Sequence, residues 1–208
     1  MPKWFLVRHG ETEWNVEGRA QGSSDTELSE VGLYQAERLS ARLAHTSFAA
    51  IYYSDLSRAM QTAQMIHERS NAPLLTTPEL RELSYGVWEG MTYGEVQARY
   101  PALYAQLMKG DVKFTPPGGE SVKDLLGRVK LLAQRLGATH PNEENILIVG
   151  HGGSIRGLLI VLLDLPAQAF WRFRLAPGSI SIISITYPER ATLDIWNDTT
   201  HLEESRSP

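Results

Sequence analysis

The chain has 208 residues, 42% of them hydrophobic, which is enough to bury one substantial core, and we predict a single domain over residues 1–208. Its formal net charge of -4 excludes the broad positive field that gathers nucleic acid or anionic membranes, so a bound anion must meet a local arginine cluster. The chain has no cysteine, which excludes disulfides, thiolate metal sites and thiol nucleophiles.

Two short apolar runs have the pattern of central strands. Trp4 to Val7 and Ile146 to Val149 are apolar at every position, as in strands that lie between two covering layers. The first run begins almost at the N-terminus, without the longer apolar stretch and cleavage site of a secretory signal, so we predict a cytoplasmic protein. A histidine follows each run closely: His9 after the first and His151 after the second.

Between and after these runs the chain alternates between helix and strand patterns. Ser29 is a suitable N-cap for one helix, Arg58 falls in the first turn of the next, and Pro101 interrupts a later helical stretch. The predicted elements are a helix over 29–44, a strand over 51–53, a helix over 55–69, a strand over 74–75, one or two helices over 93–109, a helix over 121–136, a buried helix over 155–165, and a hairpin of 180–187 and 192–196 that turns at 188–190. We expect residues 203–208 to fray.

This alternation predicts an α/β fold, a three-layer α/β/α sandwich with a mainly parallel central sheet. In such sheets the functional residues gather where the strands end at their carboxyl termini. The residues after Val7, Tyr53 and Val149 should therefore meet at one rim of the molecule.

Four cationic or potentially cationic groups belong to that rim. Arg8 and His9 stand side by side at the end of the first strand. His151 is followed by glycines at the start of an apolar helix, where free backbone N–H groups, including that of Gly152, can bind an anion. Arg58 begins the helix after the strand at 51–53.

Such a group of residues suits phosphoryl transfer. Arginine forks stabilise the charge on the phosphoryl oxygens, and a neutral histidine nitrogen is a competent nucleophile for phosphorus. A departing alkoxide also needs a proton, which a carboxylic acid beside the phosphate can supply. The loop that follows the predicted strand at 74–75 offers Glu82 and Glu89, and the residues alone leave both open.

Five segments resemble the histidine phosphatase, or phosphoglycerate mutase-like, superfamily, and they occur in the family's order. The first is Leu6-Val7-Arg8-His9-Gly10-Glu11-Thr12-Glu13-Trp14-Asn15. The others are residues 18–22 with 28–32, residues 53–63, the 81–90 loop, and Val149-Gly150-His151-Gly152-Gly153. The resemblance spans nearly the whole chain, and five segments in order are far more specific than one motif.

The resemblance implies a role for each matched position. His9 is the phosphoacceptor, Glu82 is the proton donor, and Glu89 becomes a structural residue of the loop. The remaining phosphate-pocket and substrate-binding positions that it implies are Arg8, Arg58, His151, Asn15, Gln21, Gly22 and Gly152. From its place just after Glu82, Tyr85 is our own choice for a side chain that faces the substrate.

Other residues receive structural interpretations. We expect Arg19, Arg81 and Arg156 to serve the structure, and the same holds for the histidines outside the motifs, which are His45, His67, His140 and His201. A hard-metal site made from His9, Glu11 and Glu13 is an alternative that we disfavour, so we predict no metal and no other cofactor.

The resulting functional prediction is a metal-independent phosphatase, a phosphomonoesterase for a small phosphorylated metabolite such as phosphoserine, alpha-ribazole phosphate or a sugar phosphate. Two alternatives stay open: a bisphosphate-dependent phosphoglycerate mutase and a non-catalytic module that binds phosphorylated ligands. Mutases of the family that this chain resembles carry a longer insertion between the acid loop and the second histidine. Here only the helices over residues 93–136 occupy that interval, which favours the phosphatase. We expect neither nucleic acid nor membrane as a partner, and a homodimer stays open.

Overall fold

The computed structural model describes residues 2–140, 144–186 and 190–203. Its six strands form one sheet with the order β3-β2-β4-β1-β5-β6. The strands are β1 (Lys3–Arg8), β2 (Ala50–Tyr53), β3 (Leu74–Thr76), β4 (Ile146–Gly150), β5 (Ile180–Thr186) and β6 (Arg190–Asp198). The first four are mutually parallel, whereas β5 runs antiparallel to β1 and β6 antiparallel to β5. The prediction of a mainly parallel sheet is confirmed.

Seven α-helices lie among the described residues: α1 (Glu13–Val16), α2 (Glu30–Leu43), α3 (Ser57–Ser70), α4 (Tyr93–Arg99), α5 (Pro101–Leu107), α6 (Val122–Thr139) and α7 (Gly152–Leu162). Ser29 caps α2 by accepting the N–H of Gly32, as its position predicted. Pro101 starts α5 and so divides the stretch after residue 92 into two helices.

The helices cover both faces of the sheet. Along β1, Trp4 and Leu6 pack into a core with residues of α6 and α7, whereas Phe5 and Val7 pack into a second core with residues of α2 and α3. Successive side chains of a strand point to opposite faces, so a strand between two helix layers must be apolar throughout. This explains the uninterrupted apolar runs and confirms the three-layer arrangement.

Some predicted boundaries differ from the structure. Helix α3 begins at Ser57, two residues later than predicted, because the Asp55 carboxylate is engaged by Arg81 at 2.6 and 2.7 Å instead of capping the helix. Helix α1 was not predicted, since its four residues are too few to show a period. The predicted hairpin is confirmed in its two strands, and β6 lies at an edge of the sheet. The predicted turn at 188–190 and the predicted frayed end at 203–208 fall almost entirely on residues outside those that the structure describes.

None of the helices in the described part of the chain is both long and apolar enough to cross a membrane. The apolar segment around Ile155 is the buried helix α7, packed against α6 and the sheet.

Candidate active site

The register of two parallel strands brings the two motif histidines together. Arg8 of β1 pairs with Gly150 of β4, and each strand ends just before a histidine. The backbone N–H of His9 donates to the carbonyl of Gly150 at 3.0 Å, and the rings of His9 and His151 lie edge to face with their centroids 5.0 Å apart.

The ring of His9 has a defined tautomer. Its Nδ1 lies 2.6 Å from the carbonyl oxygen of Gly10, and because a carbonyl can only accept, Nδ1 carries the proton. The lone pair of the neutral ring is then on Nε2. Burial, reinforced by Arg58 and Arg8, lowers the pKa of His9 well below its ordinary value. His9 is therefore held as a neutral ring with a free nucleophilic nitrogen.

His151 is fully buried, and both of its ring nitrogens have partners. The Nε of Arg58 donates to Nδ1 at 3.2 Å, so Nε2 carries the proton and donates to the hydroxyl oxygen of Ser54 at 2.8 Å. The pKa of His151 lies well below its ordinary value, mainly because the ring is buried and secondly because of the charge of Arg58. His151 thus supports the His9 ring from behind as a neutral group.

Arg58 is held in place from within the protein. Besides His151, its guanidinium donates to the backbone carbonyls of Ser24 at 2.8 Å and Gly22 at 2.9 Å, which ties α3 to the loop before α2. Burial lowers the pKa of Arg58 to about 10, so the group still carries its charge at neutral pH. Arg58 is thus a fixed, buried cation, and no carboxylate among the described residues forms a salt bridge with it.

Arg8 adds a second cation, which is partly buried. One of its terminal nitrogens donates to the backbone carbonyl of Leu175, while its buried Nε has no hydrogen-bond partner among the described residues. A buried N–H without a partner costs on the order of 1–3 kcal/mol, which is the situation expected of a group that meets a ligand oxygen.

The two candidate carboxylates differ sharply in their surroundings. Glu82 Oε1 accepts the backbone N–H of Leu83 at 2.7 Å and that of Gly153, in the first turn of α7, at 2.8 Å. A Cβ on Gly153 would collide with the same oxygen, so the glycine is needed for this contact. The other oxygen, Oε2, accepts no hydrogen bond among the described residues, and Glu82 is one of the residues that line the cleft.

Glu89 has no such free oxygen. Its carboxylate accepts the backbone N–H groups of Ser23, Ser24 and Tyr85 and the hydroxyls of Ser24 and Ser84, at 2.7 to 3.1 Å. Burial pushes the pKa of Glu89 upward, but these hydrogen bonds together outweigh burial and hold it below its ordinary value. Glu89 joins the loop at 22–24 to the loop at 84–85, which agrees with a structural role.

Two amide side chains are oriented by their neighbours. Asn15 Oδ1 accepts the backbone N–H of Thr12 in the capping box of α1, and Gln21 Oε1 accepts the hydroxyl of Thr26 at 2.8 Å. Because each oxygen is engaged, the NH₂ group of each side chain remains to donate to a ligand.

These side chains line one cleft of about 680 Å³. The predicted site residues on its wall are Arg8, His9, Asn15, Gln21, Gly22, Arg58, Glu82, Tyr85 and Gly152. His151 is absent from the wall because it lies behind His9 and Arg58.

Two arginines of this wall, Arg156 and Arg19, were expected to serve only the structure. Arg156 lies on the cleft: its Nε donates to the carbonyl of Gly152 at 2.7 Å, and its guanidinium packs over the rings of Phe170 and Trp171. The spacing of four residues from Gly152 on α7 was the available signal, since i and i+4 share a helix face. Arg19 also reaches the cleft while it pairs with Glu95 at 3.3 Å. Arg81, by contrast, is engaged with Asp55 as a structural residue.

Within the described ranges, no group of three or more histidine, aspartate or glutamate side chains is arranged as metal ligands. The cations on the cleft wall are arginines, and the acidic side chain on the same wall is Glu82.

Comparisons with known proteins agree with this geometry. Over residues 4–199 the chain matches the histidine phosphatase superfamily (branch 1). It is 34% identical over 204 residues to phosphoserine phosphatase 1 of Hydrogenobacter thermophilus, covering 98% of this chain and 96% of that protein. It is 38% identical over 177 residues to the probable phosphoglycerate mutase GpmB of Proteus mirabilis, covering 85% of this chain and 82% of that protein.

The fold also resembles that of solved structures. A mycobacterial glucosyl-3-phosphoglycerate phosphatase in complex with VO3 superimposes with a TM-score of 0.87 at 33% identity, covering 96% of this chain and 100% of that chain. The structural similarity therefore extends over nearly the whole chain.

Proposed function

The chain belongs to the histidine phosphatase superfamily, and from the geometry of its cleft we propose that it hydrolyses a small phosphomonoester through a phosphohistidine at His9. The observation that carries this proposal is the convergence, on one cleft wall, of a neutral buried histidine with a free Nε2, two fixed arginines and the unengaged oxygen of Glu82.

In the first half-reaction, Nε2 of His9 attacks phosphorus and the bond from phosphorus to the ester oxygen breaks. The guanidinium groups of Arg8 and Arg58 neutralise the charge spread over the phosphoryl oxygens. Glu82, in its protonated form, gives its proton to the departing oxygen, so the alcohol leaves neutral.

In the second half-reaction, the Glu82 carboxylate takes a proton from water as the water oxygen attacks the phosphohistidine. The phosphorus–nitrogen bond breaks, inorganic phosphate leaves, and His9 returns to its neutral form. Glu82 is again protonated, which completes the cycle with one group serving as acid and then as base.

Backbone hydrogen bonds hold the reacting side chains of the site in fixed positions. His9 and the loop after β4 are fixed by the sheet ladder, and Glu82 is fixed by the N-terminus of α7. Holding the reacting groups in position before the substrate arrives accounts for much of the rate gain of such reactions.

We further propose that turnover requires no metal ion, because Arg8 and Arg58 supply the positive charge that a divalent cation supplies in other phosphoryl-transfer sites. Activity in excess chelator should equal activity in untreated buffer, and restoration of a lost activity by a divalent cation would contradict this. A cytoplasmic location stays a prediction.

The decisive experiment follows the phosphoryl group. A ³²P-labelled alkyl phosphate is mixed rapidly with the enzyme and quenched in alkali, and the label should appear on His9 and then as free phosphate. Vanadate should inhibit competitively as it occupies the same position.

A second arm separates hydrolysis from transfer between substrates. The enzyme is primed with labelled 2,3-bisphosphoglycerate and offered 3-phosphoglycerate. Label released as inorganic phosphate supports the phosphatase, whereas label recovered mainly in phosphoglycerate identifies a mutase. Tight binding of phosphate without labelled enzyme or product would identify a binding module.

A further inference from the structure

A second pocket, of about 440 Å³, adjoins the candidate active site. We name it the annex. Three of its wall residues, Tyr85, Tyr93 and Trp171, also line the catalytic cleft, so the two pockets lie side by side and share part of their walls. The volume falls within the range of about 300–1,000 Å³ that small-molecule sites have.

The annex differs from the cleft in its chemistry. To the three shared aromatic residues it adds Tyr104, Leu107 and Met108, and none of the described residues on its wall is charged. The cleft beside it has five arginines on its wall. One molecule that spans both spaces therefore meets cations at one end and aromatic and aliphatic surface at the other.

The rim of the annex leaves large apolar side chains in contact with water. Met108 is 66% exposed, Tyr93 43% and Trp171 37%. Covering such surface is favourable by about 25 cal/mol for each Å² removed from water, so an apolar group of a ligand gains by entering here.

The walls are held in place from their far sides. Leu103, Tyr104 and Leu107 of α5 pack against a core that contains Trp88 and Phe170. Trp171 packs edge to face on Phe170 and is flanked by the guanidinium of Arg156. The annex is therefore largely preformed, which lowers the conformational entropy lost on binding.

We propose that the annex binds a flat apolar group, an aromatic ring, carried by the alcohol portion of the phosphomonoester whose phosphoryl group is attacked by His9. This rests on the proposed function and specifies its substrate class. The ring would stack or meet edge to face with Tyr93 and Trp171, the arrangements that aromatic pairs favour. Burial raises the pKa of Tyr85, which lines both pockets, well above its ordinary value, so its hydroxyl keeps its proton.

The test compares esters whose leaving alcohols have similar acidity. We expect kcat/KM for 2-phenylethyl phosphate to exceed that for propyl phosphate by about tenfold or more, from burial of the ring, with phosphoserine no better than the propyl ester. Equal kcat/KM values for the phenylethyl and propyl esters would overturn the annex proposal while leaving the phosphatase proposal intact.

Two variants locate the preference. In Leu107→Gln/Met108→Gln the preference for the phenylethyl ester should fall by about fivefold or more, since polar amides replace two apolar contacts, and the propyl ester should lose far less. Leu131→Gln is the matched control: Leu131 is 68% exposed on α6, outside both pockets, and its variant should keep the preference. A preference unchanged in the double variant would show that the ring binds elsewhere.

Binding without turnover separates the two proposals. Titration calorimetry with 2-phenylethylphosphonate and propylphosphonate, which have no cleavable ester bond, should show the same selectivity. If no ester is hydrolysed, the proposed function fails, and the phosphonate affinities still decide the annex: tighter binding of the phenylethyl compound supports it and equal affinities reject it.

Discussion

The candidate site has two parts that hold their charged groups by different means. The strand-end cluster, formed by Arg8, His9, Arg58 and His151, follows directly from a sheet register, and burial lowers the pKa values of all four side chains. The acid loop, residues 81–90, has no strand to define it, and its carboxylates are positioned by hydrogen bonds from backbone N–H groups.

The difference separates two physical tasks. A group that must stay neutral as a nucleophile, or that must attract phosphate, can be built on a rigid sheet and shielded from water. A group that must first give and then take a proton needs one oxygen free, and the second oxygen of Glu82 accepts no hydrogen bond among the described residues, while both oxygens of Glu89 are engaged.

The largest expected effect belongs to the strand-end cluster. His9→Ala should lower kcat by at least about 10³-fold for alkyl and aryl esters alike, because both need the same nucleophile. Steady-state kinetics and the loss of labelled enzyme after quenching would measure it. His45→Ala, which alters a histidine outside the cleft, should retain full activity, and substantial turnover by His9→Ala would remove His9 from its proposed role.

A change in the acid loop should depend on the leaving group instead. We expect Glu82→Gln to slow phosphorylation by an alkyl phosphate about 10²-fold or more, but to slow phosphorylation by nitrophenyl phosphate little, since that leaving group hardly needs a proton. Hydrolysis of the phosphoenzyme should slow for both. Single-turnover kinetics would separate the two steps.

Glu89→Gln is the matched comparison for that experiment. It should leave the alkyl to aryl ratio near that of the parent and lower stability by about 1–3 kcal/mol, because an NH₂ group would face backbone donors. Urea unfolding would measure the loss. An alkyl-selective defect in Glu89→Gln would exchange the roles of the two glutamates.

A smaller effect should follow from the contact that joins the two parts. Gly153→Ala places a methyl group against Glu82 Oε1 and should displace this carboxylate, lowering kcat for alkyl esters by about tenfold with less effect on nitrophenyl phosphate. Gly137→Ala in α6, where a Cβ meets nothing within 4 Å, is the control and should keep full activity. Equal defects for alkyl and aryl esters would indicate a general disturbance of α7 rather than of the acid.

The smallest effect concerns pH. A histidine whose pKa is lowered in the folded enzyme stays neutral as the pH falls through about 6.5, the ordinary value. After correction for the second ionisation of the ester, kcat/KM should therefore show no acid limb at the ordinary histidine pKa. A limb at that position in a pH series would contradict the shielded, neutral state of His9.

Much of the strand-end cluster could be predicted from the sequence. Two fully apolar runs, each followed by a histidine, predicted parallel central strands and a shared rim, and the structure confirms the strands, their parallel pairing and the nearness of the histidines. This works because a strand between two helix layers must be apolar at every position, which leaves a visible pattern, and because parallel strands end at the same edge.

The acid loop and the outer cleft depended on tertiary structure. The residues alone left Glu82 and Glu89 equivalent, and their different environments arise from Gly153, Ser23 and Ser24, which are distant in sequence. Likewise, the only local signal that Arg156 would reach the cleft was its spacing of four residues from Gly152, and nothing in the local pattern showed that His151 would lie behind the cleft wall. Loop side chains take their direction from partners that the fold brings near, so the sequence determined which chemical groups were available, and the tertiary structure decided which of them face the substrate.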